Sequence, residues 1–142
     1  MSIDDADEII KPATEAGLDT VFMVTPNTNP ERMKLIASKT TGFIYAVSLL
    51  GVTGSREQLS GAVEGLIEKL KKLTKVPVCV GFGISKPEHA ATVTSAGADG
   101  VIIGSKLVRL IEDNLGDKQK CLAEVSTFLS EVKSAIEGQW AS

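Results

Sequence analysis

Short apolar runs alternate along this chain with longer segments whose apolar residues recur at spacings of three and four. The first kind reads as buried strand and the second as amphipathic helix. A strand covered on both faces has no polar side, whereas a helix on the surface keeps one. Four runs predict strands: 20–24 (TVFMV), 43–48 (FIYAVS), 76–80 (VPVCV) and 100–103 (GVII). Residues 4–16 predict a helix that Pro12 kinks or bounds and Gly17 stops. Asn29 and Pro30 predict the cap and first position of the next helix, with Met33, Ile36 and Ala37 on its apolar side. Val63, Leu66, Ile67, Leu70 and Leu73 trace a third helix, whose opposite face carries Glu64, Glu68, Lys69, Lys71 and Lys72 and is solvated. Ser85 and Glu88 have the spacing of a capping box opening a helix to about Ala96, with Gly97 as its stop. Ser105 opens a short helix to about Asp113. A final helix, roughly 117–137, is expected to turn Leu122, Val125, Leu129, Val132 and Ile136 to one face. Residues 139–142 read as a frayed tail, with Trp140 packed on the exterior.

Strands alternating with helices imply a parallel sheet with right-handed crossovers, hence an α/β fold. No linker divides the chain, so residues 1–142 read as one domain. Two architectures fit: an open doubly wound sheet, or the C-terminal half, strands 5 to 8, of a TIM (β/α)8 barrel. A composition of 43% hydrophobic and 23% charged residues is that of an ordinary globular protein. The net charge of -3 supplies no field for nucleic acid or an anionic membrane, and the apolar runs are too short to span a bilayer. The opening MSIDDADEII has neither a signal-peptide nor a transit-peptide pattern. Cys79 and Cys121 form no CxxC motif and no disulfide framework, which points to a reducing compartment. The expected location is cytoplasmic, or the plastid stroma for a plant protein. His89, the single histidine, reads as an exposed helical residue rather than a zinc ligand or triad base, and no metal site is expected.

In parallel α/β proteins, ligands collect at the carboxyl ends of the strands. Here those ends are Gly51-Val52-Thr53-Gly54, Gly81-Phe82-Gly83 and Gly104-Ser105. Glycine lets the backbone approach a ligand closely, and the free N–H groups of the short helix opened by Ser105 favour an anion. Glycines after the third strand and a short helix after the fourth match the barrel phosphate site, normally built after strands 7 and 8. The pattern is neither GxGxxG, since Lys86 stands at the last position, nor a P-loop. No Asp or Glu lies in the first three strand-end loops. Glu31 and Glu57 fit helix-dipole roles, and Asp99 precedes the fourth strand, at the end away from the pocket. Tyr45 is a candidate pocket wall. No catalytic residue is therefore assigned.

Residues 43–48 (FIYAVS), 51–54 (GVTG), 81–88 (GFGISKPE) and 98–105 (ADGVIIGS) resemble, in order and spacing, the tryptophan synthase alpha chain family. The likeness runs from about Asp4 to Ile136, and its wording is nearest the plant and cyanobacterial branch, which includes stand-alone indole-3-glycerol phosphate lyases. The resemblance implies a TIM barrel of about twice this length that cleaves indole-3-glycerol phosphate to indole and glyceraldehyde 3-phosphate by a retro-aldol reaction. The alpha chain needs no cofactor; a PLP-dependent beta chain, its partner, converts the indole to tryptophan. Matched residue by residue, Gly54, Gly83, Gly104 and Ser105 fall on the substrate-phosphate site. Thr53 falls on the mobile loop, and Tyr45, Phe82 and Ile102 on the pocket. The family's catalytic carboxylates belong to the early strands, so a C-terminal half-barrel would hold phosphate without proton-transfer groups. Its open edges suggest a truncated product, self-pairing of half-barrels, or a separate N-terminal half. The alternatives are another phosphate-binding barrel enzyme, an isomerase or decarboxylase, or a non-catalytic module that pairs with a beta chain or another alpha chain.

Overall fold

Ile44 and Ala46, with Val78 and Val80 on the adjacent strand, alternate along the chain and are fully buried. A period of two puts all four on one face of a sheet, and that face is where the core forms. The computed structural model describes residues 3–47, 56–81 and 83–140. Its sheet comprises β1 (Phe22–Val24), β2 (Ile44–Val47), β3 (Val78–Gly81) and β4 (Gly100–Ile102), all parallel and in the order β1-β2-β3-β4. The helices are α1 (Asp7–Glu15), α2 (Pro30–Lys39), α3 (Arg56–Leu73), α4 (Pro87–Ser95), α5 (Ser105–Glu112) and α6 (Lys118–Trp140), after a 3-10 turn at Ile3–Asp5. Strand and helix alternate as the periodicity predicts, and four strands are half of a (β/α)8 barrel.

One continuous core lies between the outer sheet face and the helices. Val24, Ile44, Ala46, Val78 and Val80 meet Met33, Ile36 and Ala37 of α2 and Val63, Leu66, Ile67 and Leu70 of α3. Ala90 and Val93 of α4 and Phe128 and Val132 of α6 complete it. The helix signals hold where they are local. Asn29 Oδ1 accepts the Arg32 N–H at 2.8 Å, and Pro30 follows at the first helical position. Gly17 and Gly97 adopt φ of 71° and 101°. Each closes a helix through paired bonds: Leu18 N–H to Ala13 O and Gly17 N–H to Thr14 O, then Ala98 N–H to Val93 O and Gly97 N–H to Thr94 O. Among the described residues, no helix is long and apolar enough to cross a membrane.

The strands are shorter than their apolar runs. Thr20 falls outside β1 because its N–H binds Thr41 Oγ1 at 2.9 Å, tying it to the loop before β2. β3 begins after Pro77, which has no N–H to donate, and reaches one residue further, to Gly81. Ser48 lies outside the described residues. The predicted capping box is also displaced. Pro87 takes the first helical position, so Lys86, extended at φ -140° and ψ 152°, becomes the cap and makes no side-chain bond. In α6 the buried stripe runs through Val125, Phe128, Val132 and Ile136, whereas Leu122 and Leu129 face outward. Both stripes have helical spacing, and the packing of α6 on α4 selects the one with Phe128. Likewise Leu73, at the end of α3, is exposed. α6 runs to Trp140, into the stretch expected to fray, and the Trp140 side chain lies outside what the structure describes.

Asp99 locks β3 to β4 at the amino end of the sheet. Its Oδ2 accepts the Val78 N–H at 2.8 Å, and its own N–H donates to Val78 O at 2.8 Å. Lys71 Nζ lies 2.8 Å from both carboxylate oxygens. The ion pair is more than a third exposed on each side, 43% for Lys71 and 38% for Asp99, so water screens it. Val78 is fully buried, so loss of its acceptor strands a donor. Asp99→Ala is therefore expected to destabilise the chain by about 1–3 kcal/mol. Lys71→Ala should cost less than about 1 kcal/mol. Urea titration of both variants checks the order, and equal losses would contradict it.

Candidate functional site

Val47, Gly81 and Ile102 stand side by side in the register of β2, β3 and β4. These strands therefore end at one level. Gly83 is in the turn after β3, exposed and at φ 81°, a conformation that an L side chain rarely adopts. Ile84 beside it is 4% exposed and pins the turn to the core. Gly104 and Ser105 are exposed in the turn after β4 and at the start of α5. The structure thus places Gly83, Gly104 and Ser105 at the carboxyl ends of two adjacent strands, as the sequence predicts.

The start of α5 is suited to an anion. Gly104 is its cap and offers no side chain, and no acidic residue lies in its first turn. Gly104 O accepts from Leu107 and Val108, which leaves the Ser105 and Lys106 N–H groups without an acceptor within the helix. By contrast, α2 is closed by Asn29 and has Glu31 in its first turn, and α1 and α4 also carry acidic residues in their first turns. The Lys106 ammonium sits 5.7 Å over the Phe128 ring.

Below the strand ends, the second sheet face is built from large and small residues in pairs. Tyr45, half-buried, covers Gly81: a β-carbon on Gly81 would fall 2.7 Å from Tyr45 Cε1 and Cζ. Cys79 covers Gly100 in the same way, 3.0 Å from the position of a β-carbon there. Ile102, half-buried, lies on this face with Val47, while Met23 is 59% exposed at its edge. Burial, reinforced by the charge of Asp99, pushes the Cys79 thiol up, which favours its protonated form. Cys121 is also a free thiol.

His89 departs from its expected role as an exposed helical side chain. It is half-buried, and its Nδ1 lies 3.2 Å from Gly83 O and 3.4 Å from Ser85 N. Counted from the observed cap, Lys86, it is the third residue of α4, the place from which a side chain reaches back over the first turn. The displaced cap hid this in the sequence. Asp99 lies at the amino end of β4, away from the site, where its bonds are those of a structural clamp. Glu31 pairs with Lys34 on the surface of α2. Thr53, Gly54 and Phe82 lie outside the described residues. Among the described residues, no three or more His, Cys, Asp or Glu side chains are grouped to hold a metal ion.

Residues 1–137 match the family model described as tryptophan synthase alpha chain. The tryptophan synthase alpha chain of Methanoregula boonei is 39% identical over 137 residues, covering 96% of this chain and 52% of that protein. That of Arabidopsis thaliana is 40% identical over 134 residues, covering 94% of this chain and 48% of its own length. A solved structure of the tryptophan synthase α2β2 complex from the hyperthermophile Pyrococcus furiosus superposes with a TM-score of 0.81 at 37% identity, over 93% of this chain and 52% of that one. The chain spans about half the length of the curated relatives it matches. Archaeal and plant relatives match almost equally, so identity does not single out the plant and cyanobacterial branch.

The pairing of Tyr45 with Gly81 makes a sharp prediction. Gly81→Ala should destabilise the chain by about 1–3 kcal/mol, because a methyl group there overlaps the ring. In a Tyr45→Ala background the same change should cost far less. Chemical denaturation of the two single variants and the double variant measures the coupling, and additive losses would refute it.

Proposed function

Since the chain belongs to the tryptophan synthase alpha chain family, we propose that it carries the phosphate-holding half of an indole-3-glycerol phosphate lyase barrel, acting in tryptophan biosynthesis. The observation that carries this reading is that the Gly83 turn and the acid-free start of α5, which has no side-chain cap, follow two neighbouring strands. Backbone N–H groups at such a place bind a phosphate dianion through hydrogen bonds and the helix dipole, without a lysine or arginine clamp. On this reading the Gly83, Gly104 and Ser105 amides, with the Ser105 hydroxyl, take the phosphate of the glycerol end. Gly54 joins them by its match to the family motif, as Thr53 does for the loop. Tyr45, Phe82 and Ile102 form the wall against the indole and glycerol parts.

Retro-aldol cleavage of indole-3-glycerol phosphate protonates the indole ring carbon and removes a proton from the glycerol hydroxyl. Both steps need general acid–base groups. The segments after β1, β2 and β3, residues 25–29, 48–55 and 82–86, contain no Asp or Glu. We therefore assign proton transfer to a complementary half-barrel, and to this chain the grip on the substrate and on glyceraldehyde 3-phosphate. The open edges β1 and β4 fit such a complement, as do the exposed apolar residues Met23, Val108, Ile111 and Leu115. It would be the other half of the relatives' length or, as the second choice, another copy of this chain. A tryptophan synthase beta chain is the proposed protein partner, because the solved relative from Pyrococcus furiosus is an α2β2 complex.

Glycerol 3-phosphate binding, measured by calorimetry, tests the reading. Gly83→Asp and Ser105→Glu each place a carboxylate where the phosphate would sit, and each should abolish binding while circular dichroism stays that of the unaltered chain. Unchanged affinity in either variant would sink the assignment. Indole release from indole-3-glycerol phosphate by the purified chain should stay at the uncatalysed rate, since absent acid–base groups cost about 10²–10⁴-fold each. Clear turnover would put those groups within this chain.

A further inference from the structure

Among the described residues, the turn that carries Gly83 has two anchors. One is Ile84, whose side chain is 4% exposed in the core. The other comes from α4: His89 Nδ1 lies between Gly83 O at 3.2 Å and Ser85 N at 3.4 Å. We propose that His89 is a positioning residue, holding the turn after β3 in the shape that presents its backbone to the substrate phosphate. The proposal rests on the phosphate reading of Gly83 given above.

The local chemistry supports the assignment. Pro87 forces the helix to start there, and Lys86, its cap, supplies no side-chain bond to the turn. A side-chain tie between this turn and α4 therefore has to come from another residue. His89 supplies it from the third helical position, whose side chain reaches back over the helix start as the Glu of a capping box does. Depending on the tautomer, Nδ1 accepts the Ser85 N–H or donates to the Gly83 carbonyl, and either bond ties the turn to α4. The turn needs such a tie because Gly83, at φ 81°, is the residue type with the widest backbone freedom. Hydrogen-bond donors that are fixed before a ligand arrives do not charge their ordering entropy to binding. A loosened turn would bind phosphate through the same groups, but more weakly.

The experiment uses the full chain and three variants, His89→Ala, His89→Asn and His89→Gln, with glycerol 3-phosphate as the probe. Asn places a polar atom near the position of Nδ1, whereas Gln places it near Nε2, away from the turn. Solvent exchange of the Ser85 amide is read by NMR without ligand, and affinity by calorimetry. His89→Ala should speed Ser85 exchange and weaken glycerol 3-phosphate binding, each by about five- to tenfold, the size of one lost hydrogen bond. His89→Asn should restore both and His89→Gln neither, with similar thermal midpoints in the two. A general structural role would instead lower stability without separating Asn from Gln. Unchanged exchange and affinity in His89→Ala would overturn the proposal, and so would faster exchange with full affinity. If the unaltered chain binds no glycerol 3-phosphate, the phosphate reading fails and the positioning role falls with it; Ser85 exchange then reports separately whether His89 holds the turn.

Discussion

The parallel register of β2, β3 and β4 is the constraint on which the rest of this molecule depends. Val47, Gly81 and Ile102 lie level, so these three strands end together. At the opposite end, Asp99 fixes the alignment of β3 with β4 through bonds to the N–H and C=O of Val78. A slip of one residue would turn every side chain of a strand to the other face. Tyr45 and Cys79 would then enter the helix-covered core, and Ile44 and Val78 would leave it. The bonds of one aspartate at the bottom of the sheet thus help decide where the glycine turns sit at the top.

The two faces of the sheet meet different demands. The outer face is covered by helices and filled with Val, Ile and Ala. The inner face is built from complementary pairs, Tyr45 over Gly81 and Cys79 over Gly100, and its edge residue Met23 is open to water. Barrel interiors are packed in layers drawn from alternate strands, so one half shows only half of each layer. The chain spans about half the length of its relatives, and the half-buried state of the inner-face residues Tyr45, Cys79 and Ile102 agrees with that extent.

The helix starts show a similar division of labour. α2 closes its own N-terminus with Asn29, and α1 and α4 carry acidic side chains in their first turns. α5 has neither device, and its Ser105 and Lys106 N–H groups have no acceptor within the helix. A polar side chain capping α5 would satisfy those amides within the protein and would compete with an anion for them.

Much of the architecture is written locally and is therefore legible in the sequence. Helix stops at Gly17 and Gly97, the Asn29-Pro30 cap and the apolar stripe of α3 each depend on residues within a few positions of one another. The strand–helix alternation and the placing of Gly83, Gly104 and Ser105 at strand ends follow from the same short-range pattern. Other features depend on partners distant in sequence, and only the tertiary structure decided them. Phe128 rather than Leu129 is buried because α6 meets α4, although both residues fit a helical stripe. Gly81 and Gly100 read as turn or strand glycines until Tyr45 and Cys79 of the neighbouring strands are seen above them. His89 looked like a surface residue because its role depends on where α4 begins, and Pro87 moved that start past Ser85. Periodicity records which residues are apolar and how they are spaced along the chain, whereas the choice among equivalent faces is made by the surface each element meets.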